Sequence, residues 1–237
     1  DAMKANSKSQ TLKIASKEFK NIVVGDVWLC SGQSNMEWTQ NRSQNAKEEA
    51  AQANYPLIRH LKFGHTHLGK PQDDYKSDWK VCTPKSVGGF TAVGYFFARK
   101  IQQDLNVPIG LLGINWGGTR VEPWTTREAF AAVPELKQIS DKLAQTPDDA
   151  PGKHQSPTRI YNAMINPVIN YAIRGAIWYQ GESNGGEGDS YFFKKKALIE
   201  GWRQKWGYEF PFYFVQLANF KKPTNTPAGG DGWAKLR

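Results

Sequence analysis

The chain has 237 residues, 39% of them hydrophobic and 13% aromatic, with 31 Lys and Arg against 22 Asp and Glu for a formal net charge of +9. That length suits one large α/β domain, and the apolar content is enough to build a core, which excludes global disorder. No run of about 18 apolar residues occurs, which excludes a membrane-spanning helix, and the basic residues are scattered rather than gathered in a nucleic-acid module, which sets nucleic acid aside as a partner.

Two cysteines, Cys30 and Cys82, neither require a disulfide framework nor form a metal motif. The start, Asp1-Ala2-Met3, shows no signal-peptide pattern, and a trimmed chain would show none. A basic surface favours an anionic substrate or polymer through long-range steering. Nine Trp, nine Tyr and twelve Phe read first as a large core and second as sugar-stacking surface.

In chain order, residues 1–20 are polar and lysine-rich, with enough alternation for short strands: a lead-in, or the end of a preceding β-rich region. The main domain is expected over 21–237. Residues 22–30 read as its first core strand, 45–54 as a helix with Asn45 as N-cap, and 57–63 as a second strand. The polar stretch to about Ser86 reads as an irregular loop. Residues 87–106 place Val93, Phe96, Phe97, Ile101 and Leu105 at helical spacing, and 107–116 is a short apolar run suited to a buried strand. Helices are expected at 126–145 and 158–173, the second bent or interrupted by Pro167. A strand at 175–180, an amphipathic helix at 189–207 and a strand at 210–220 complete the pattern. Such alternation implies an α/β fold whose mainly parallel sheet is covered on both faces.

In parallel sheets ligands gather beyond the carboxyl ends of the strands. Three of those ends carry uncharged polar clusters with glycine: Ser31-Gly32-Gln33-Ser34-Asn35, Asn115-Trp116-Gly117-Gly118-Thr119-Arg120 and Gln180-Gly181-Glu182-Ser183-Asn184. One cluster could simply cap the sheet. Three on one edge suit acyl transfer, which needs an activated hydroxyl and neutral donors aimed at a developing oxyanion.

The stretches "GDVWLCSGQSNMEW", "GINWGGTRVEPW" and "AIWYQGESN" together resemble the sialate O-acetylesterase family, carbohydrate esterases within the SGNH-type hydrolases, over residues 21–220. The resemblance implies a three-layer α/β/α, flavodoxin-like domain that removes O-acetyl groups from sialic acid or a related glycan without metal or organic cofactor, in an extracellular or periplasmic setting. Acetyl-xylan or another polysaccharide as substrate, and a non-catalytic carbohydrate-binding homologue, stay open beside it. Carried over by position, Ser34 is the nucleophile. Its N–H, the N–H of Gly118 (with Gly117 as fallback) and the side-chain amide of Gln180 or Asn184 form the oxyanion hole. Gln33, Asn35, Arg120 and Glu182 surround the site; Glu182 holds its loop or positions the first block, and Arg120 is either salt-bridged or a grip for a substrate carboxylate. Ser31 reads as a turn hydroxyl, Asn115 and Thr119 as loop-closing hydrogen bonders. Trp38, Trp116, Trp124 and Trp178 are candidates for a sugar pocket, Trp178 more for the core.

The family's base is a histidine in a "DxxH" block. None of His60, His65, His67 and His154 has Asp three residues before it. Together with a sheet that lacks an expected last strand and helix, this reads as a chain truncated at its C-terminus. His65-Thr66-His67 is a weak metal motif with no further ligand at suitable spacing, and His60 reads as a strand residue near the sheet edge.

Overall fold

The computed structural model describes residues 3–220 and 232–237; of the expected lead-in and main domain, residues 1–2 and 221–231 lie outside the described residues. β1 (Asn6–Ile14) and β2 (Lys17–Val24) form an antiparallel hairpin. Almost all of its residues are exposed, and Arg59 holds its end by donating to the Asn21 carbonyl and, at 2.8 Å, to Asn21 Oδ1.

The main sheet contains β3 (Asp26–Gly32), β4 (Tyr55–Lys62), β5 (Trp79–Cys82), β6 (Ile109–Asn115), β7 (Gly175–Tyr179) and β8 (Phe212–Phe214) in the order β5-β4-β6-β3-β7-β8. Every pairing is parallel except β4 with β5. The first helices are α1 (Ser34–Glu37), α2 (Ala46–Gln52) and α3 (Ala92–Leu105), followed by α4 (Arg127–Ala132), α5 (Lys137–Ala144), α6 (Asp189–Trp206) and α7 (Gly232–Leu236).

The period of two along β3 sorts its side chains between two cores. Trp28 and Cys30 join Met36, Phe90, Tyr95 and Leu111 on the α3 side. Leu29 joins Trp124, Trp178, Leu198 and Trp202 on the α6 side. On that side Trp178 meets Trp124 and Trp202 edge-on, with centroids 5.9 and 5.8 Å apart, the geometry that aligns a positive ring edge with a negative face. The result is three layers, helices over both faces of a mostly parallel sheet.

Several elements differ from the sequence pattern. The expected loop before Ser86 contains β5, a four-residue antiparallel edge strand. The helix expected at 158–173 is a π-turn, Tyr161–Ile165, and a 3-10 turn, Asn166–Val168. Pro167 removes a backbone donor there, and the amides of Asn162 and Asn166 bond instead to the carbonyls of Leu68, Gly69 and Gln72. The stretch 126–145 breaks at Val133-Pro134 into α4, a 3-10 turn and α5. The 87–106 helix starts at Ala92, after a 3-10 turn at Val87–Gly89. Asn45 stands at the N-cap of α2 in the left-handed region (φ 53°) and makes no side-chain cap. The last expected strand shortens to Phe212–Phe214.

Register positions the site. Gly32 at the end of β3 is level with Asn115 on β6 and Tyr179 on β7, so the three polar clusters leave the sheet side by side. Gly32 itself has φ +131°, and a Cβ there would lie 2.2 Å from the Tyr179 carbonyl oxygen. Only glycine lets the central strand turn that close to its neighbour.

Candidate active site

The first cluster turns directly out of β3. Gln33 N–H donates to Tyr179 O at 2.9 Å, and Gln33 O accepts from the N–H groups of Met36 and Glu37, which starts α1 at Ser34. Ser34 is exposed, and among the described residues neither its hydroxyl nor its N–H has a hydrogen-bond partner. Its neighbours in sequence are committed to the third cluster. Gln33 Oε1 accepts from Ser183 N–H at 3.2 Å, and Asn35 Nδ2 donates to Glu182 Oε1 at 2.6 Å. The other Glu182 oxygen is buried with no partner among the described residues.

Glu37 lies one turn from Ser34, the spacing that puts two residues on one helix face. Its Oε2 accepts from Gly117 N–H at 2.6 Å and its Oε1 meets His65 Nε2 at 2.7 Å. This carboxylate joins the nucleophile helix to the second cluster. A Cβ on Gly117 would fall 3.5 Å from Ser34 Cα and Cβ and 2.9 Å from Glu37 Oε2, so glycine allows the two segments to touch.

The Gly117 N–H is therefore occupied, while Gly118, exposed and at φ +75°, has an N–H with no partner among the described residues. Gln155 fixes that peptide. Its Nε2 donates to Gly118 O at 2.7 Å and its Oε1 accepts from Arg120 N–H at 3.0 Å. Thr119 Oγ1 donates to Trp116 O at 2.7 Å and accepts from Trp124 Nε1 at 3.0 Å; Asn115 Nδ2 donates to Cys30 O at 3.2 Å. Ser31 is a buried strand residue of β3 rather than a turn hydroxyl, and its Oγ has no partner among the described residues.

The third cluster gives neither of its expected amides a free donor. Gln180 Nε2 donates to Thr119 O at 3.1 Å and to Asn184 Oδ1 at 2.7 Å, while its Oε1 accepts from Tyr191 Oη at 2.9 Å. Asn184 Nδ2 donates to Glu122 Oε2 and Glu187 Oε2, both at 3.0 Å, and its Oδ1 also accepts from Val121 N–H. With two hydrogens each, both amides are fully used in holding the second cluster's loop. Lys194 completes the network, 2.6 Å from Glu122 Oε1 and 2.5 Å from Glu187 Oε2, with only 12% of its side chain exposed. Burial alone would raise the Glu122 carboxyl; the bonds from Lys194 and Asn184 and the Lys194 charge outweigh it and hold the group below its ordinary range. Arg120 reaches Glu187 only at 3.4 Å, with half its side chain exposed.

The aromatic candidates divide by burial. Trp124 and Trp178 are fully buried in the core. Trp38 is exposed, its Nε1 donating to Arg42 O. Trp116 is half-buried and stacks on His65 and on His154, with centroids 4.5 and 4.9 Å apart, and His67 tilts against it at 6.1 Å. His65 is thus engaged by Glu37 and Trp116, and among the described residues no three His, Cys, Asp or Glu side chains gather as metal ligands. His60 is a buried core residue stacked on Phe90 at 4.7 Å; burial, aided by Lys62 and Lys80, pushes its imidazole down to about 3.

Sequence reasoning missed Glu37, Gln155 and Lys194. The spacing Ser34-x-x-Glu37 on a helix was a readable signal for the first. Gln155 carries none, because its partners lie 35 and 37 residues away, and Lys194 is tied to Glu122 72 residues away as well as to nearby Glu187.

Comparisons with known proteins find similar chains among the carbohydrate esterases. The family described as carbohydrate esterase, sialic acid-specific acetylesterase, matches residues 24–229. A sialate O-acetylesterase from Mus musculus is 33% identical over 248 residues, covering 88% of this chain and 46% of its own. The Homo sapiens sialate O-acetylesterase is 34% identical over 235 residues, covering 92% and 43%. The crystal structure of a carbohydrate acetylesterase from Xanthomonas citri superposes with a TM-score of 0.82 at 34% identity, over all of this chain and 52% of that one. The chain spans about half the length of the curated relatives it matches.

Proposed function

Because the chain belongs to the sialic acid-specific acetylesterase family of carbohydrate esterases, we propose that it removes O-acetyl groups from a carbohydrate with Ser34 as nucleophile. One observation carries the reading: an exposed serine with an unpartnered hydroxyl stands at the end of the central strand, and the unpartnered N–H groups of Ser34 and Gly118 lie at adjacent strand ends. Ser34 Oγ attacks the acetyl carbonyl, forming a C–O bond while its proton passes to a base. The two N–H groups donate to the oxyanion, each worth about 2.7–4 kcal/mol of transition-state stabilisation. The sugar oxygen leaves with a proton, and water then releases acetate from acetyl-Ser34.

Gln180 and Asn184 act in this scheme by holding the Gly118–Val121 loop, through Thr119 O and Val121 N–H. Glu37 and Gln155 fix the same loop from either side. The family's DxxH base has no counterpart among the four histidines, so the reading assigns no base to these residues. An acetylated sialic acid is the proposed substrate and an extracellular or periplasmic compartment its setting; among the described residues no helix is long and apolar enough to cross a membrane.

The test is acetate release from 9-O-acetylated sialic acid, acetylated xylan and p-nitrophenyl acetate. It compares the 237-residue chain, a longer protein that carries a DxxH segment, and Ser34→Ala in the longer one. Turnover by the longer wild type that vanishes in Ser34→Ala is expected, with sialate preferred to xylan. Undiminished turnover in Ser34→Ala, or none in the longer wild type, overturns the reading.

A further inference from the structure

Beside the second cluster, α5 and the segment 145–159 enclose a cavity of about 510 Å³, within the range of small-molecule sites. Its wall adjoins the second cluster. Arg120 lines it two residues after Gly118, and Gln155, also in the wall, bonds to both of those residues.

The charges in that wall do not cancel. Four cations, Arg120, Arg127, Lys142 and Arg159, face two carboxylates, Glu122 and Asp148. Both carboxylates are already answered: Glu122 by Lys194, which is not part of the wall, and Asp148 by Arg127 at 2.7 Å. Arg127 is used up, its second nitrogen donating to Leu143 O. The other three are not. Arg120 has only its 3.4 Å approach to Glu187, Arg159 donates to the Ala150 carbonyl, and Lys142 has no ion pair among the described residues. Three cationic groups line a small-molecule-sized space, and among the described residues the only anion that meets any of them is Glu187, 3.4 Å from Arg120.

We propose that this cavity is a carboxylate subsite: it receives the acid group of a carboxylate-bearing sugar whose acetyl ester reaches Ser34. The inference rests on the esterase reading for what the subsite serves. Guanidinium groups bind carboxylates through paired, charge-assisted hydrogen bonds, whereas a neutral acetylated sugar offers Arg120, Lys142 and Arg159 only uncharged acceptors. The subsite therefore selects acidic sugars over neutral ones of equal size.

The experiment is calorimetric binding to the 237-residue chain at low salt, with the methyl glycoside of N-acetylneuraminic acid and the methyl ester of the same compound as probes. The acid is expected to bind at least about tenfold more tightly than the ester, as loss of charged hydrogen bonds requires, and high salt should narrow the gap. Arg120→Gln and Lys142→Gln, both on exposed side chains, should each weaken acid binding several-fold and leave the ester unchanged. Equal binding of acid and ester, no binding of either, or an acid preference untouched by both variants overturns the subsite. The two readings fail separately: p-nitrophenyl acetate has no carboxylate, so its Ser34-dependent hydrolysis can persist without acid preference, and acid preference can persist without hydrolysis.

Discussion

Lys194→Met is the sharpest perturbation available in this structure. It removes the one cation shared by Glu122 and Glu187, whose side chains are only 8% and 15% exposed. Stranding a buried carboxylate in this way costs about 3–5 kcal/mol, a large fraction of the ~5–15 kcal/mol that holds a domain together. With a urea m-value near the upper end of ~1–3 kcal/mol/M for a chain of this size, the unfolding midpoint should fall by about 1–2 M. The pH dependence has a definite sign. In the wild type the folded Glu122 carboxyl lies below its unfolded value, so its stabilisation is present above about pH 4.3 and fades as pH drops through the folded value. Without Lys194 only the bonds from Asn184 and from the Glu122 backbone still oppose burial, so the folded value rises and the stabilisation present above about pH 4.3 shrinks. Tryptophan fluorescence against urea at acidic and neutral pH measures both: the deficit should be larger at neutral pH, and adding Glu122→Gln should recover part of it. A shift at pH 7 within the ~0.5 kcal/mol typical of surface substitutions would refute the reasoning, since the carboxylates would then be finding water.

Further outcomes are expected elsewhere. Gly32→Ala drives a Cβ to 2.2 Å from the Tyr179 carbonyl oxygen and should leave the chain insoluble or lower its thermal midpoint by more than 10 °C, on the scale of ~2–4 °C per kcal/mol for this size; near-native melting would show that β7 can yield. Gly118→Ala meets no atom within 4 Å, so only the left-handed backbone resists it, at about 1–2 kcal/mol, and melting should shift modestly while acetyl-ester turnover by the longer protein falls at least tenfold. Cys30 and Cys82 are buried, with burial pushing their thiols up to about 12 and about 11; a disulfide-exchange reagent at pH 8 should label neither in the native protein and both in denaturant. His60 refuses a proton until about pH 3, so stability should decline as pH falls below about 6.5, where the unfolded chain takes one up, and His60→Gln should flatten that part of the profile.

The sheet was legible because β3, β6 and β7 are buried on both faces and so spell out as unbroken apolar runs. The three polar clusters were legible for the same reason: they begin where each run stops. β5 was hidden because four residues with Lys80 among them give an edge strand no pattern to show. The stretch 158–173 is interrupted around Pro167, one of the two outcomes the proline allows, but its π-turn was hidden because the asparagines on and after it have carbonyl partners almost a hundred residues away. The use of Gln180 and Asn184 could not be read at all. A side-chain amide after a strand looks the same in sequence whether it faces a substrate or a neighbouring loop, and the bonds to Thr119, Val121 and Glu122 are visible only in the fold.

The strand order also sets a timetable for synthesis. β3, the central strand, emerges from the ribosome first of the main sheet, yet its two partners are β6 and β7, and β7 ends 147 residues later (179 − 32). At about 5–20 residues per second, the run Val27-Trp28-Leu29-Cys30 waits roughly 7–30 seconds for its second edge to be covered. During that interval an apolar strand with free hydrogen-bonding edges is open to other nascent chains. Yield in a cell should therefore respond to holdase chaperones and to translation speed between β3 and β7, and far less to anything encoded after α6.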